Sequence, residues 1–219
     1  DLDYAVDASA FGAYLHQGQI CMSARRLLVD RRIADDYLDR LAAKTAGLKV
    51  GDPAAPDTII GPLINQRALD TVEGRVREAV AGGAKVLAGG ERVGNAFQAT
   101  LLADVPADSE LARVETFGPV ATVEVVDGAD EAVARANKTA YGLAAGILTG
   151  DPDRGLALAD RLQAGIVHVN DQPVGDEPQM PFGGVKDSGW GRFGGQAAID
   201  EFTELKWVTV QSGTRPFPF

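Results

Sequence analysis

The sequence predicts an α/β protein: a mostly parallel, open sheet with helices on both faces. Two observations carry this. Segments with apolar residues at helical spacing alternate with short β-rich runs, and the alternation is regular from the first residue to about 170. The composition, 45% apolar and 24% charged over 219 residues, suits a soluble globular chain with one main core.

Each element follows from its own signals. Asp1 to about Tyr14 reads as a helix and RRLLVD at 25–30 as a buried strand. Ile33, Tyr37, Leu41 and Leu48 stand near helical spacing, which predicts a helix over roughly 33–48 that stops before VGDP. A Pro-rich loop occupies 52–62. Asn65 then caps a helix that ends at Gly82-Gly83. AKVLAG, FQATLLA and PVATVEVV read as strands, 130–137 as a helix, AAGILTG as a strand, PDRGLALADRLQ as a helix and GIVHVN as a further strand. The order breaks at 171–190, a stretch rich in Gly, Pro and polar residues, and loops of that length are often functional. ELKWVTVQ, near the end, is apolar on both faces and is expected to be a buried strand rather than a free edge. The expected division is a catalytic domain over 1–200 and an oligomerisation strand with its tail over 201–219.

Charge and cysteine usage narrow the function classes. Asp and Glu outnumber Lys and Arg by 31 to 21, a net charge of -10, so nucleic acid and anionic membranes are not expected partners. Cys21 is the only cysteine, which rules out an internal disulfide and fits a reducing, cytoplasmic setting. No apolar run has the length of a membrane span, and DLDYAVDASA has no base and is not a signal peptide. The sequence opens without Met inside a helical pattern, so a piece of a longer protein is expected. His16 and His168, the only histidines, have no Cys or acid cluster at ligand spacing, and no metal site is expected.

A lone cysteine is ordinarily a small buried hydrophobe. Cys21, however, ends GQIC at 18–21, on a loop between a helix and a strand, where glycine permits close backbone approach. Phe11 and HQGQICMSARRLLV at 16–29 are followed by ETFGPV at 115–120 and MPFGGVKDSGWGR at 180–192. With these motifs the sequence resembles the aldehyde dehydrogenase superfamily. The resemblance covers essentially the whole chain, since LKVGDP (48–53), GPLI (61–64), the GAKVL run ending at Gly90 and NKTAYGLAAGI (137–147) also fall in family order.

The resemblance implies a role for each matched position. Cys21 is the nucleophile that attacks the aldehyde carbon and later carries a thioester. Glu115 holds the ribose hydroxyls of NAD or NADP, and Phe117 positions the nicotinamide ring. Asn170, at the end of GIVHVN, and Phe182, in PFGG, belong to the substrate tunnel. Each has a plainer reading beside it: ETFGP as a turn with a solvated acid and a core phenylalanine, Asn170 as a turn residue, Phe182 as a packing aromatic. The family's oxyanion asparagine and its general base, a glutamate in an ELGG-type motif about thirty residues before the cysteine, match no position here. The chain alone is therefore expected to be inactive.

Gly189, Gly191 and Gly194 spell GxGxxG, yet a glycine-rich loop precedes them instead of an apolar strand, and no ribose-binding acid stands about twenty residues on, at Thr214. They read as a loop leading into a helix. Two other functions compete with the dehydrogenase: a non-catalytic assembly module of the same fold, and a Cys-His hydrolase using His16 or His168 as base. The run at 168–195 looks most like the benzaldehyde, vanillin and salicylaldehyde dehydrogenases, so the expected substrate is a small aldehyde, and that likeness implies an aromatic one. A homo-oligomer is expected from the last strand.

Overall fold

The computed structural model describes all 219 residues. Helix α1 (Leu2–Tyr14) starts on Asp1, whose side chain accepts from Tyr4 N–H at 3.1 Å. Such a cap satisfies one of the donors a helix start leaves free. Ala8, Ser9, Ala10, Gly12 and Ala13 are buried along α1. These small residues let α2 (Ala34–Ala46) lie close, with Tyr37 donating to Ser9 Oγ at 2.6 Å across the contact.

The main sheet has the order β1-β6-β5-β2, from β1 (Arg26–Asp30), β2 (Lys85–Ala88), β5 (Thr100–Ala103) and β6 (Val120–Val126). β1 and β5 run parallel to β6, while β2 is antiparallel to β5 at the edge. Successive residues of β5 and β6 point to opposite faces, and two cores result. Leu101, Ala121 and Val123 join α1 and α2 through Val6, Tyr37 and Leu41. Leu102 and Val120 join α3 (Gln66–Ala81) through Leu69, Val72 and Val76. Helices therefore cover both faces, as the sequence predicts. Asn65 caps α3 by accepting from Ala68 N–H at 2.9 Å.

Several expectations change in detail. FQATLLA is divided: β4 (Ala96–Phe97) pairs with β3 (Arg92–Val93), and only 100–103 enters the main sheet as β5. A single turn, α4 (Glu110–Arg113), precedes the ETFGP segment. α5 (Ala129–Asn137) packs on β1 and β6. β7 (Ala144–Ile147) and β8 (Ile166–Val169) form a separate two-stranded parallel sheet instead of extending the main one, with α6 (Pro152–Ala159) as crossover. α7 (Gly195–Glu201) follows the long loop.

The last segment differs most. Residues 203–212 contain no strand, and Leu205, Trp207, Val208 and Val210 are all exposed. An extended segment is buried only when another edge hydrogen-bonds to it and another face covers it. This chain supplies neither. No helix is long and apolar enough to cross a membrane.

Candidate active site

Between α1 and β1 the chain turns sharply. His16, Gln17 and Gly18 all have positive φ (49°, 58° and 64°), a left-handed turn that side chains disfavour. The neighbouring GPLI segment holds it. Gln19 Oε1 accepts from Ile64 N–H at 3.0 Å, and the Gln17 amide, with its oxygen toward Gly61 N–H, accepts there at 3.0 Å. A tight turn then closes through Ser23 N–H to Ile20 O at 3.0 Å, placing Cys21 and Met22 at its tip. Met22 is buried and Cys21 is exposed. The Cys21 N–H has no acceptor within the chain.

ETFGP lies directly against this turn. A Cβ built on Gly18 would stand 2.1 Å from the Gly118 carbonyl oxygen, so the two backbones touch where a side chain has no room. From the other side Gly118 is pressed by α3, its own notional Cβ falling 2.4 Å from Val72 Cγ2. The loop is tied down further by Arg75, which donates to Glu115 O at 2.7 Å and Thr116 Oγ1 at 3.0 Å, and by Arg25, which donates to Val114 O at 2.7 Å. Thr116 is buried. Glu115 stays 30% exposed with Arg25 at 3.5 Å, and Phe117 is 48% exposed. Burial holds the Arg25 guanidinium below its usual range, and the Glu115 charge opposes that shift.

The start of the long loop also reaches this region. A Cβ at Gly12 would lie 3.1 Å from Gln172 Cβ and 3.3 Å from Ala24 Cβ, so α1 lies close at Gly12 both to the loop after β8 and to the segment that leads from Cys21 into β1. Asn170 itself is committed to a turn. Its φ is 59°, its Oδ1 accepts from Thr149 N–H at 2.8 Å, and its carbonyl accepts from Tyr4 O–H at 2.8 Å. Phe182 is half-buried and stacks on Phe193 with centroids 4.9 Å apart, inside a two-way backbone bridge. The turn that carries Cys21 thus touches the loop that carries Glu115 and Phe117 through Gly18 and Gly118, while Asn170 and Phe182 have local structural partners. Neither histidine hydrogen-bonds to Cys21: His16 is exposed on the left-handed turn, and His168 is on β8 with its ring against Gly175.

The aldehyde dehydrogenase family model matches residues 1–208. The chain belongs to that family. It is 49% identical over 218 residues to a vanillin dehydrogenase of Pseudomonas fluorescens, covering all of this chain and 45% of the relative. An NAD(+) benzaldehyde dehydrogenase of Pseudomonas putida is 46% identical over 220 residues, again covering all of this chain and 45% of the relative. The crystal structure of a salicylaldehyde dehydrogenase from Pseudomonas putida G7, complexed with salicylaldehyde, superposes with a TM-score of 0.92 at 43% identity, covering 100% of this chain and 46% of that one. This aldehyde dehydrogenase chain spans just under half the length of the relatives it matches.

Gln17, Gln19 and Arg25, which help fix the two loops, lie inside the HQGQICMSARRLLV run, which does not mark that structural task, and Arg75 lies in no motif at all. The one available signal is a pair of arginines opening an otherwise apolar strand, RRLLV.

Proposed function

We propose that this chain is the catalytic portion of an NAD(P)-dependent aldehyde dehydrogenase that oxidises a small, aromatic aldehyde to its carboxylic acid, with Cys21 as nucleophile. The observation that carries the reading is the exposed Cys21 on a turn whose own backbone N–H is unengaged, packed directly against the loop bearing Glu115 and Phe117. As the thiolate, the sulfur attacks the aldehyde carbon; an S–C bond forms and the carbonyl π pair moves to oxygen. The free Cys21 N–H stabilises that oxyanion, a contribution of the kind that commonly makes a hundredfold or greater difference in rate, on the order of 3 kcal/mol.

The residues present fit a nicotinamide cofactor. Glu115 is an acceptor held in place yet partly open, able to take two adjacent ribose O–H donors, and Phe117 offers an exposed ring for the nicotinamide to lie against. When bound, the nicotinamide supplies the acceptor for the hydride that the tetrahedral carbon releases. Cys21 is left as a thioester, and water cleaves it to the acid and the free thiol. Asn170 and Phe182 are proposed to shape the substrate tunnel from the second layer, through the turn and the aromatic pair described above. The aromatic preference rests on the names of the relatives, and a homo-oligomer paired through ELKWVTVQ at 204–211 on the exposed apolar residues there.

The family pattern's base and oxyanion asparagine match no position in residues 1–219, so the chain alone is proposed to be inactive. Loss of either group typically lowers the rate about a hundred- to ten-thousand-fold. The test follows reduced cofactor by absorbance while benzaldehyde or an aliphatic aldehyde is offered, first to the 219-residue chain and then to a form extended to the upstream start of its reading frame. Turnover is expected only in the extended form and is abolished by Cys21→Ala. Equal turnover by the short chain, lost on Cys21→Ala, would show that its active site is complete; turnover insensitive to Cys21→Ala would remove the nucleophile assignment.

A further inference from the structure

Two guanidinium groups lie nearly out of solvent beside Glu115. The Arg25 side chain is 14% exposed and that of Arg75 16%. A buried charge is tolerated where hydrogen bonds or an opposite charge compensate it, and here the compensation converges on three consecutive residues. Arg25, from the start of β1, reaches the Val114 carbonyl and the Glu115 carboxylate; Arg75, from the middle of α3, reaches the Glu115 carbonyl, Thr116 Oγ1 and, at 3.1 Å, Glu110. The loop between α4 and β6 has no sheet or helix of its own to fix it. The neighbouring arginine takes no part, since Arg26 points to Glu124 and the Arg135 carbonyl at 3.0 and 3.1 Å.

The distances differ in a useful way. Arg25 donates a full hydrogen bond to the backbone at 2.7 Å but stands 3.5 Å from Glu115 Oε2, beyond a normal N–H···O contact. The carboxylate is held by charge at that distance, and its lone pairs remain able to accept other donors.

We propose that Arg25 and Arg75 are positioning residues: a two-sided clamp that presents the Glu115 carboxylate to the cofactor without consuming it. This rests on the reading of Glu115 as the cofactor contact. Arg25 acts through Glu115, so its removal weakens the cofactor and leaves the aldehyde alone.

The test is a double-mutant cycle in the full-length enzyme containing this chain, reading KM for NAD and for benzaldehyde separately. Arg25→Ala is expected to raise the NAD KM about tenfold, with the benzaldehyde KM within about twofold of wild type. Glu115→Gln raises the NAD KM as well, and Arg25→Ala adds little in that background, because coupled residues are not additive. Arg75→Ala shifts the NAD KM in the same sense, whereas Arg77→Ala, an exposed arginine on the same helix, leaves it unchanged. Fully additive effects of Arg25→Ala and Glu115→Gln, or a rise on Glu115→Gln with none on Arg25→Ala, would overturn the clamp. An NAD KM unmoved by Glu115→Gln would instead overturn the underlying contact, and the clamp with it. Should Arg25→Ala not accumulate folded, Arg25→Lys decides: it keeps the charge and loses the forked reach, so an intermediate NAD KM supports the clamp and a wild-type value refutes it.

Discussion

Replacing Gly18 by Ala tests the contact between the Cys21 turn and the ETFGP loop. Two costs are separable. An L-residue in the left-handed region loses roughly 1–2 kcal/mol relative to glycine, and Gly18 has φ 64°. The second is steric: the new Cβ would sit 2.1 Å from Gly118 O and 2.8 Å from Gly118 C, atoms that cannot retreat because Val72 stands behind Gly118. Relieving that overlap requires the two loops to part by about 1 Å, a distortion of the size that costs typically 1–3 kcal/mol when a packed region is overfilled. Gly94→Ala isolates the first cost, since Gly94 has φ 58° and nothing within 4 Å of its notional Cβ. Taking about 2–4 °C per kcal/mol for a domain of this size, Gly18→Ala lowers Tm by roughly 4–20 °C and Gly94→Ala by about 2–8 °C. Thermal unfolding followed by circular dichroism reads both. Equal shifts for the two variants would refute the direct packing of the Cys21 turn on ETFGP.

Folded protein treated with an iodoacetamide-type reagent should alkylate Cys21 at a rate near that of the unfolded chain, given its exposure at the turn tip; labelling only after denaturation would place the thiol out of reach. Asn65→Ala removes the α3 cap and is expected to destabilise by about 1 kcal/mol in denaturant titration, with Asn65→Asp close to wild type. Burial raises the Tyr14 pKa above its ordinary value of 10.0, so the folded state keeps a proton that the unfolded chain releases. That contribution is whole below about pH 10 and is lost as pH rises through the folded value, so Tm should fall less steeply between pH 9.5 and 11 in Tyr14→Phe than in wild type; parallel slopes would contradict the buried, protonated phenol.

Much of this protein was legible in the linear chain because the responsible physics is local. Asp1, Asn65 and Asp151 cap their helices through bonds to residues three positions on, and the apolar spacing of 66–81 fixes which side of α3 is buried. GQIC and ETFGP were visible as motifs for the same reason: each is a contiguous run. The sequence also placed glycines at 18 and 118 without showing that they touch each other, since 100 residues separate them and only the parallel pairing of β1 with β6 brings their loops together. Arg25 and Arg75 became partners of Glu115 by the same tertiary route, from a strand and a helix that share no local pattern with the loop they hold. In the other direction, ELKWVTVQ reads as a strand that is apolar on both faces, yet it forms no strand and stays exposed here, because hydrophobicity names no partner. Whether such a strand is buried depends on an edge with free N–H and C=O groups at the right place, and within this chain no edge lies there.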